Sequence, residues 1–220
     1  MATKVLNLYA GIGGNRKLWK DVDVTAVEWD EEKAEVYRDH FPDDEVVVTD
    51  AHEYLKDHME DGWGFIWTSP PCPTHSQMES MNHAQYGPRY PDMALYQEII
   101  LLSNHANRLG FKYCVENVIS YYEPLVEPQQ VSRHYFWSNF HIPDHDTPVL
   151  RKRGVESRDD RSDCGDGFDY QEHEEGLGYD LAKYDMPQSK KEKCLKNCVH
   201  PELGNHIFNA ATKNRQATLF

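Results

Sequence analysis

The chain is short of positive charge. It sets 23 Lys and Arg against 37 acidic side chains, for a formal net charge of −14 at pH 7. A nucleic-acid binder is expected to present a basic face. The overall balance excludes a broad one, so any phosphate contacts must come from local clusters. Two stand out, Arg151-Lys152-Arg153 and Lys190-Lys191-Lys193-Lys196, and each reads equally well as a solvated face. Cysteine is scarce too: five, at positions 72, 114, 164, 194 and 198. An odd number at irregular spacing excludes a disulfide framework and points to reduced thiols in a cytoplasm-like compartment. Long apolar runs are missing. None approaches the roughly 18 residues that span a bilayer, so no membrane partner is expected, and the opening MATKVLNLYAG reads as a strand rather than a signal peptide.

What is present alternates. KVLNLYA (4–10), VTAVEWD (24–30), EVVVTD (45–50), GFIWTS (64–69) and FKYCVEN (111–117) read as strands. Helical spacing lies between them, in NRKLWKDV, EEKAEVYRDHF (31–41), AHEYLKDHM and PDMALYQEIILLSNHANRLG (91–110), the last opening on proline and closing on glycine. Alternation of this kind predicts an α/β fold: a doubly wound, Rossmann-like, mainly parallel sheet covered on both faces. From about 140 the pattern breaks into a polar, Gly- and Asp-rich stretch, read as a small irregular insertion. SKKEKCLKNCVHPELGNHIFNAATKN then reads as two helical pieces broken at HPELG. The expected organisation is a catalytic region 1–140, a variable insertion 141–193, a returning segment 194–212 and a tail 213–220.

In an open parallel sheet ligands bind beyond the carboxyl ends of the strands. Gly11, Gly13 and Gly14 follow the first strand, Glu28 ends the second, Asp50 the third, Cys72 follows the fourth and Glu116-Asn117 the fifth. Glycines let backbone approach a ligand, and a carboxylate one strand on can accept from ribose hydroxyls. The pattern suits an adenosine-bearing cofactor, with NAD, FAD and S-adenosylmethionine all compatible. A structural glycine turn with a solvated acid is the plainer reading. Pro70, Pro71 and Pro73 stiffen the loop around Cys72. A thiolate forms reversible covalent adducts and a carboxylic acid can protonate a ring nitrogen. Together they could activate carbon 5 of a pyrimidine. Sulfur would add at carbon 6 while the acid protonates N3 of cytosine, which makes carbon 5 nucleophilic toward a methyl donor. The plainer readings are a buried cysteine and a structural acid.

LYAGIGGNRKLW, VEWD, TSPPCPTHSQ and VENV, in this order, resemble the cytosine-C5 methyltransferases of DNA. SRHYFWSNF (132–140) resembles a shortened form of that family's arginine-bearing segment, and CVHPELGNHIF (198–208) its last, pocket-completing one. The resemblance implies S-adenosylmethionine as cofactor and a cytosine flipped out of double-stranded DNA. It implies Cys72 as nucleophile, Glu116 as the acid at N3, and Arg133 as the arginine near the base. Tyr9, Gly11, Gly13, Gly14, Glu28, Asp50, Pro70 and Asn205 are the implied cofactor contacts. The departures are a proline after the cysteine, an abbreviated arginine segment and a short region for target recognition. An RNA substrate, a catalytically silent DNA- or clamp-binding relative and a nucleotide-binding oxidoreductase stay open beside this reading. The cell implied is bacterial or phage-infected.

The chain ends in RQATLF. Gln216 with Leu219 and Phe220 resembles the short peptides that dock on sliding clamps, and a terminal pair packing on its own domain is the plainer alternative. Cys164, Cys194, Cys198 and His200 lack a usual zinc spacing, so no metal is expected.

Overall fold

The computed structural model describes residues 2–77, 79, 87–148, 150 and 168–213. Cys164, the Arg151-Lys152-Arg153 cluster and Gln216, Leu219 and Phe220 of the tail lie outside the described residues. Seven strands form one sheet: β1 (Thr3–Leu8), β2 (Val22–Glu28), β3 (Glu45–Val48), β4 (Phe65–Thr68), β5 (Lys112–Val118), β6 (Gln129–Val131) and β7 (His134–Ser138). Their order is β3-β2-β1-β4-β5-β7-β6, parallel through β5, with β7 antiparallel to both β5 and β6. The helices are α1 (Glu31–His40), α2 (Ala51–His58), α3 (Ala94–Leu109), α4 (Tyr170–Leu177), α5 (Gln188–Lys196) and α6 (Pro201–Lys213).

Alternation along the strands decides which face each side chain serves. In β4, Ile66 packs with α2 and α3 through Leu55, Leu95, Ile99 and Leu102. Its neighbours Phe65 and Trp67 point the other way, onto Trp19 and the α6 residues Leu203, Ile207 and Phe208. Both faces are therefore dry, as a central parallel strand requires. Gly110 ends α3 in the left-handed conformation, φ 77°, its N–H returning to the Ala106 carbonyl.

The local structure departs from the sequence reading at three points. NRKLWKDV forms no helix. Arg16, Lys17 and Trp19 donate to the carbonyls of Gly13, Gly14 and Arg16, so the stretch is a run of turns that delivers Trp19 into the core. The two helical pieces are there as α5 and α6, but the break lies at 197–200, so that Pro201-Glu202-Leu203-Gly204 opens α6; proline at the first helical position gives up an N–H that has no partner there anyway. Gln129–Val131 and His134–Ser138 add a hairpin that the βα pattern did not announce.

Candidate active site

The strand order reverses between β1 and β4, and that switch point is where an open sheet forms its crevice. Two loops meet there. The first, after β1, begins with Tyr9 and Gly11 at positive φ of 54° and 58°. At Gly13 a Cβ would come within 2.3 Å of the Phe41 ring, so that glycine is a packing requirement. At Gly14 a Cβ would lie 2.1 Å from the Cys198 sulfur and 2.5 Å from the Val199 carbonyl. Gly14 therefore lets the linker between α5 and α6 press onto the loop.

A cavity of about 400 Å³ opens here. Tyr9, Gly11, Ile12 and Gly14 form its floor, Ser69 its β4 side, and Asp30 and Lys33 its α1 side. The roof runs from Pro187 to Val199 and includes Lys190, Lys193, Cys194 and Asn197. Lys190 fastens the roof to α1, donating to Asp30 at 2.8 Å and to Glu32. Asp30 meanwhile caps α1 by accepting from the Glu32 and Lys33 N–H groups, and these bonds together outweigh burial to hold its carboxyl below the usual range.

The expected cofactor residues take different places. Glu28 is buried, and its carboxylate accepts from the Gly11 N–H at 2.9 Å and the Asp30 N–H at 3.1 Å, bracing both loops. Asp50 is exposed and caps α2 by accepting from the Glu53 N–H. Pro70 is buried, and Asn205 lies part-buried on α6 outside the cavity lining, where Asn197 is found. Trp29 carried no role in the sequence reading. Its indole is 76% exposed at the end of β2, directly after Glu28, and offers a flat apolar face. An exposed tryptophan at a strand's carboxyl end was the signal to look for.

Tyr9 leads to a second feature. Its hydroxyl donates to Glu98 of α3 at 2.5 Å. The same fully buried carboxylate accepts from the Thr68 hydroxyl at 2.6 Å and from the His52 Nδ1 at 2.9 Å. One acid thus ties together the glycine loop after β1, the end of β4 and the start of α2. Burial and the Glu98 charge push the Tyr9 phenol far up, and the bond to Glu98 raises the His52 imidazole.

The second loop carries Cys72, partly covered four residues past β4. Its carbonyl accepts from the N–H groups of His75 and Ser76, which closes the loop into a turn. Asn117 of β5 donates its side-chain amide to the Pro70 carbonyl at 2.9 Å and takes the Val118 N–H at 3.0 Å. The asparagine beside Glu116 therefore holds the Cys72 loop. Burial first, and the Glu116 charge second, raise the Cys72 thiol above its ordinary value. Cys72 follows β4 and Glu116 lies in the strand paired with it, β5, where Thr68 stands opposite Val115. His75 is buried, its imidazole lowered by desolvation and bonded through Nδ1 to the Tyr122 hydroxyl at 2.6 Å, a strut for the loop.

Glu116 is itself held. His134, the first residue of β7, places Nδ1 2.6 Å from its Oε1. Arg133 sits one residue earlier, exposed at the hairpin turn. Cys114 is fully buried in β5. Among the described residues no three His, Cys, Asp or Glu side chains are grouped to hold a metal ion, and no helix is long and apolar enough to cross a membrane.

Residues 3–104 match the family model of C-5 cytosine-specific DNA methylase, a span that contains Cys72 and stops within α3, before Glu116. No curated protein matches the chain. Among solved structures, the S. pombe Dnmt2 methyltransferase is similar at TM-score 0.60 and 11% identity, over 98% of this chain and 99% of that one. The Entamoeba histolytica methyltransferase EhMeth is similar at TM-score 0.56 and 11% identity, with the same coverage of 98% and 99%. At such identity the likeness is one of fold. The sheet order, the glycine loop and the proline-flanked cysteine are thus joined by a direct sequence match, and the chain resembles the C-5 cytosine-specific DNA methylases.

Proposed function

We propose that the chain methylates carbon 5 of cytosine in DNA, with S-adenosylmethionine as donor and Cys72 as a transient covalent nucleophile. The observation that carries this is the Cys72 loop tied by Asn117 to the strand of Glu116, beside a cavity floored by glycines.

The cavity's residues fit the cofactor. Its volume of about 400 Å³ lies within the usual range for small-molecule sites. The lining offers the half-buried backbone of Gly11 and charges of both signs in Asp30, Lys33, Lys190 and Lys193, which suits a ligand with an amino-acid end. Trp29, exposed one residue before Asp30 of the lining, would cover a purine face. When bound, S-adenosylmethionine supplies an electrophilic methyl on a positively charged sulfur and departs as a neutral thioether.

The protein's own groups prepare the base. The Cys72 thiolate forms a bond to carbon 6 of an extruded cytosine as Glu116 gives its proton to N3, so the ring's electron density moves to carbon 5. After methylation, solvent removes the carbon-5 proton. The carbon–sulfur bond breaks with its pair returning to Cys72, and the N3 proton returns to Glu116. The prolines and Asn117 hold the sulfur in place, which lowers the entropic part of the barrier. Arg133, exposed at the hairpin, is placed in this reading as a contact to the nucleic acid. Gln216, Leu219 and Phe220 would tether the enzyme to a sliding clamp and raise its local concentration on DNA.

The test is transfer of a labelled methyl group to duplex DNA and to RNA of the same sequence, with wild-type protein and Cys72→Ser. DNA carrying 5-fluorocytosine should trap a covalent adduct at Cys72. Transfer to RNA alone would replace the substrate, and transfer that survives Cys72→Ser would overturn the mechanism.

A further inference from the structure

We infer that Tyr179 is a positioning residue for the glycine loop: its hydroxyl holds the carbonyl of Ile12, so that a helix end distant in sequence shapes the cavity floor before any ligand arrives. That the ligand is S-adenosylmethionine rests on the function proposed above; the hold on the loop does not.

The loop needs support from outside. Tyr9, Gly11 and Gly13 lie at positive φ of 54°, 58° and 86°, so the backbone from 9 to 13 can join neither the sheet nor a helix. Ile12 lines the cavity and is itself buried. Its carbonyl accepts from the Tyr179 hydroxyl at 2.7 Å, in a contact closed to water. A buried carbonyl has to be paired within the protein, and here the donor comes from 167 residues further along the chain.

The end of α4 is built to deliver that donor. Gly178 stops the helix at φ 68°; its N–H returns to the Glu175 carbonyl, and the Tyr179 N–H to the Glu174 carbonyl. This is the paired closure that a left-handed glycine makes at a helix end, and it fixes the residue that follows. Lys17, from the turns after the glycine loop, completes the joint. Its ammonium donates to the Leu177 carbonyl at 2.6 Å and to the Gly178 carbonyl, and lies 4.0 Å from the centre of the Tyr179 ring. A cation suits both the negative end of a helix and the face of an aromatic ring. The chain from Ile12 to Lys17 is thus held at both ends by one helix terminus.

Apolar packing agrees. Ile12 and Val36 of α1 share a core with Leu177, Tyr179, Leu181 and Leu195. Just beyond, the Lys183 ammonium and the Tyr184 hydroxyl each reach Asp39 of α1 at 3.1 Å. Residues 177–184 belong to the stretch read from sequence as a variable insertion, yet they turn these groups toward the glycine loop and α1.

The experiment is hydrogen–deuterium exchange of the full chain without ligand, read on peptides over residues 9–15, together with calorimetric titration with S-adenosylhomocysteine. The proteins are wild type, Tyr179→Phe and Lys17→Met. Tyr179→Phe keeps the ring and takes away only the hydroxyl. Exchange in the loop is expected to rise by about 3- to 30-fold, the order for one buried acceptor that loses its donor, with α6 and β5 unchanged. The dissociation constant of S-adenosylhomocysteine should rise by about the same factor. In methyl transfer the loss should appear as a higher KM for S-adenosylmethionine, whereas a mere loss of folded protein would lower kcat and leave KM alone. Lys17→Met, which frees the helix end, should loosen the same peptides. Loop exchange equal to wild type in Tyr179→Phe, or a rise spread evenly over the chain, would overturn the inference. If Tyr179→Phe does not fold, Lys17→Met decides alone: an unchanged loop is fatal. A wild-type protein that binds no S-adenosylhomocysteine, while Tyr179→Phe still loosens the loop, would sink the proposed cofactor and leave the role of Tyr179 standing.

Discussion

Asn117 donates its side-chain amide to the carbonyl of Pro70 at 2.9 Å, across the gap between β5 and the Cys72 loop. The asparagine is 1% exposed, so neither partner has water to fall back on. Asn117→Ala should leave a buried carbonyl unpaired and cost about 1–3 kcal/mol of stability. It should also slow methyl transfer by about 10- to 100-fold, since small misplacements of a nucleophile are that costly. Denaturant melts and single-turnover kinetics measure the two effects separately. Loss of stability without loss of rate would make the bond structural only.

Glu98 is the second buried hub. Glu98→Gln keeps the shape but turns an acceptor-only group into one with two N–H donors, facing Tyr9, Thr68 and His52. At least one of those contacts must break, and a loss of about 2–4 kcal/mol is expected from a disrupted buried charge network. Cofactor affinity should fall too, because Tyr9 lines the cavity. Calorimetric titration with S-adenosylhomocysteine checks this.

The His52 contact has a pH signature. The folded state raises the His52 imidazole above its unfolded value through the bond to Glu98. The stabilisation is therefore complete below the unfolded value of about 6.5 and fades as the pH rises through the higher folded one. Melting temperatures of wild type and His52→Asn should differ most near pH 6 and converge toward pH 9. A difference that grows with pH would contradict the assignment.

Gly14 lies where the roof meets the floor. Gly14→Ala puts a methyl into the Val199 carbonyl as well as the Cys198 sulfur, so trimming Cys198 cannot fully relieve it. Overpacking of this kind costs about 1–3 kcal/mol. The α5–α6 linker should lift and weaken S-adenosylhomocysteine binding. Unchanged affinity would show that the roof is not part of the ligand site.

Lys193 lines the cavity from α5, while Lys190 fastens the same helix to Asp30 and Glu32. Lys193→Ala should weaken binding of S-adenosylhomocysteine by about 3- to 10-fold with little change in stability, as befits one partly solvated charge. Lys190→Ala should make binding less sensitive to salt. Isothermal titration at two ionic strengths distinguishes the two lysines.

The sheet could be read from the sequence because buried parallel strands leave continuous apolar runs that end abruptly in glycine or acid: Leu8 before Gly11, Val48 before Asp50. That Cys72 and Glu116 belong to the carboxyl-end halves of neighbouring central strands was readable for the same reason, with Cys72 just past β4 and Glu116 within β5. His134 was not. It depends on the register of a hairpin whose turn, with Ser132 at φ 56°, carries no glycine to announce it. Glu98 looked like one more polar residue in a helix; its burial comes from three partners distant in sequence. The missing helix after Gly14 was a failure of local spacing. NRKLWKDV has helical periodicity, yet Trp19 is wanted in the core against Phe65 and Phe208, and turns deliver it there.

β7 runs against its neighbours, so the sheet edge where ligands gather meets that strand at its beginning rather than its end. The imidazole is set by counting from a two-residue turn, Ser132-Arg133, and not by any loop that could be lengthened for a new target. One residue fewer in that turn would offer Glu116 the phenol of Tyr135 in place of the His134 imidazole. The hairpin's length thus decides which side chain meets Glu116.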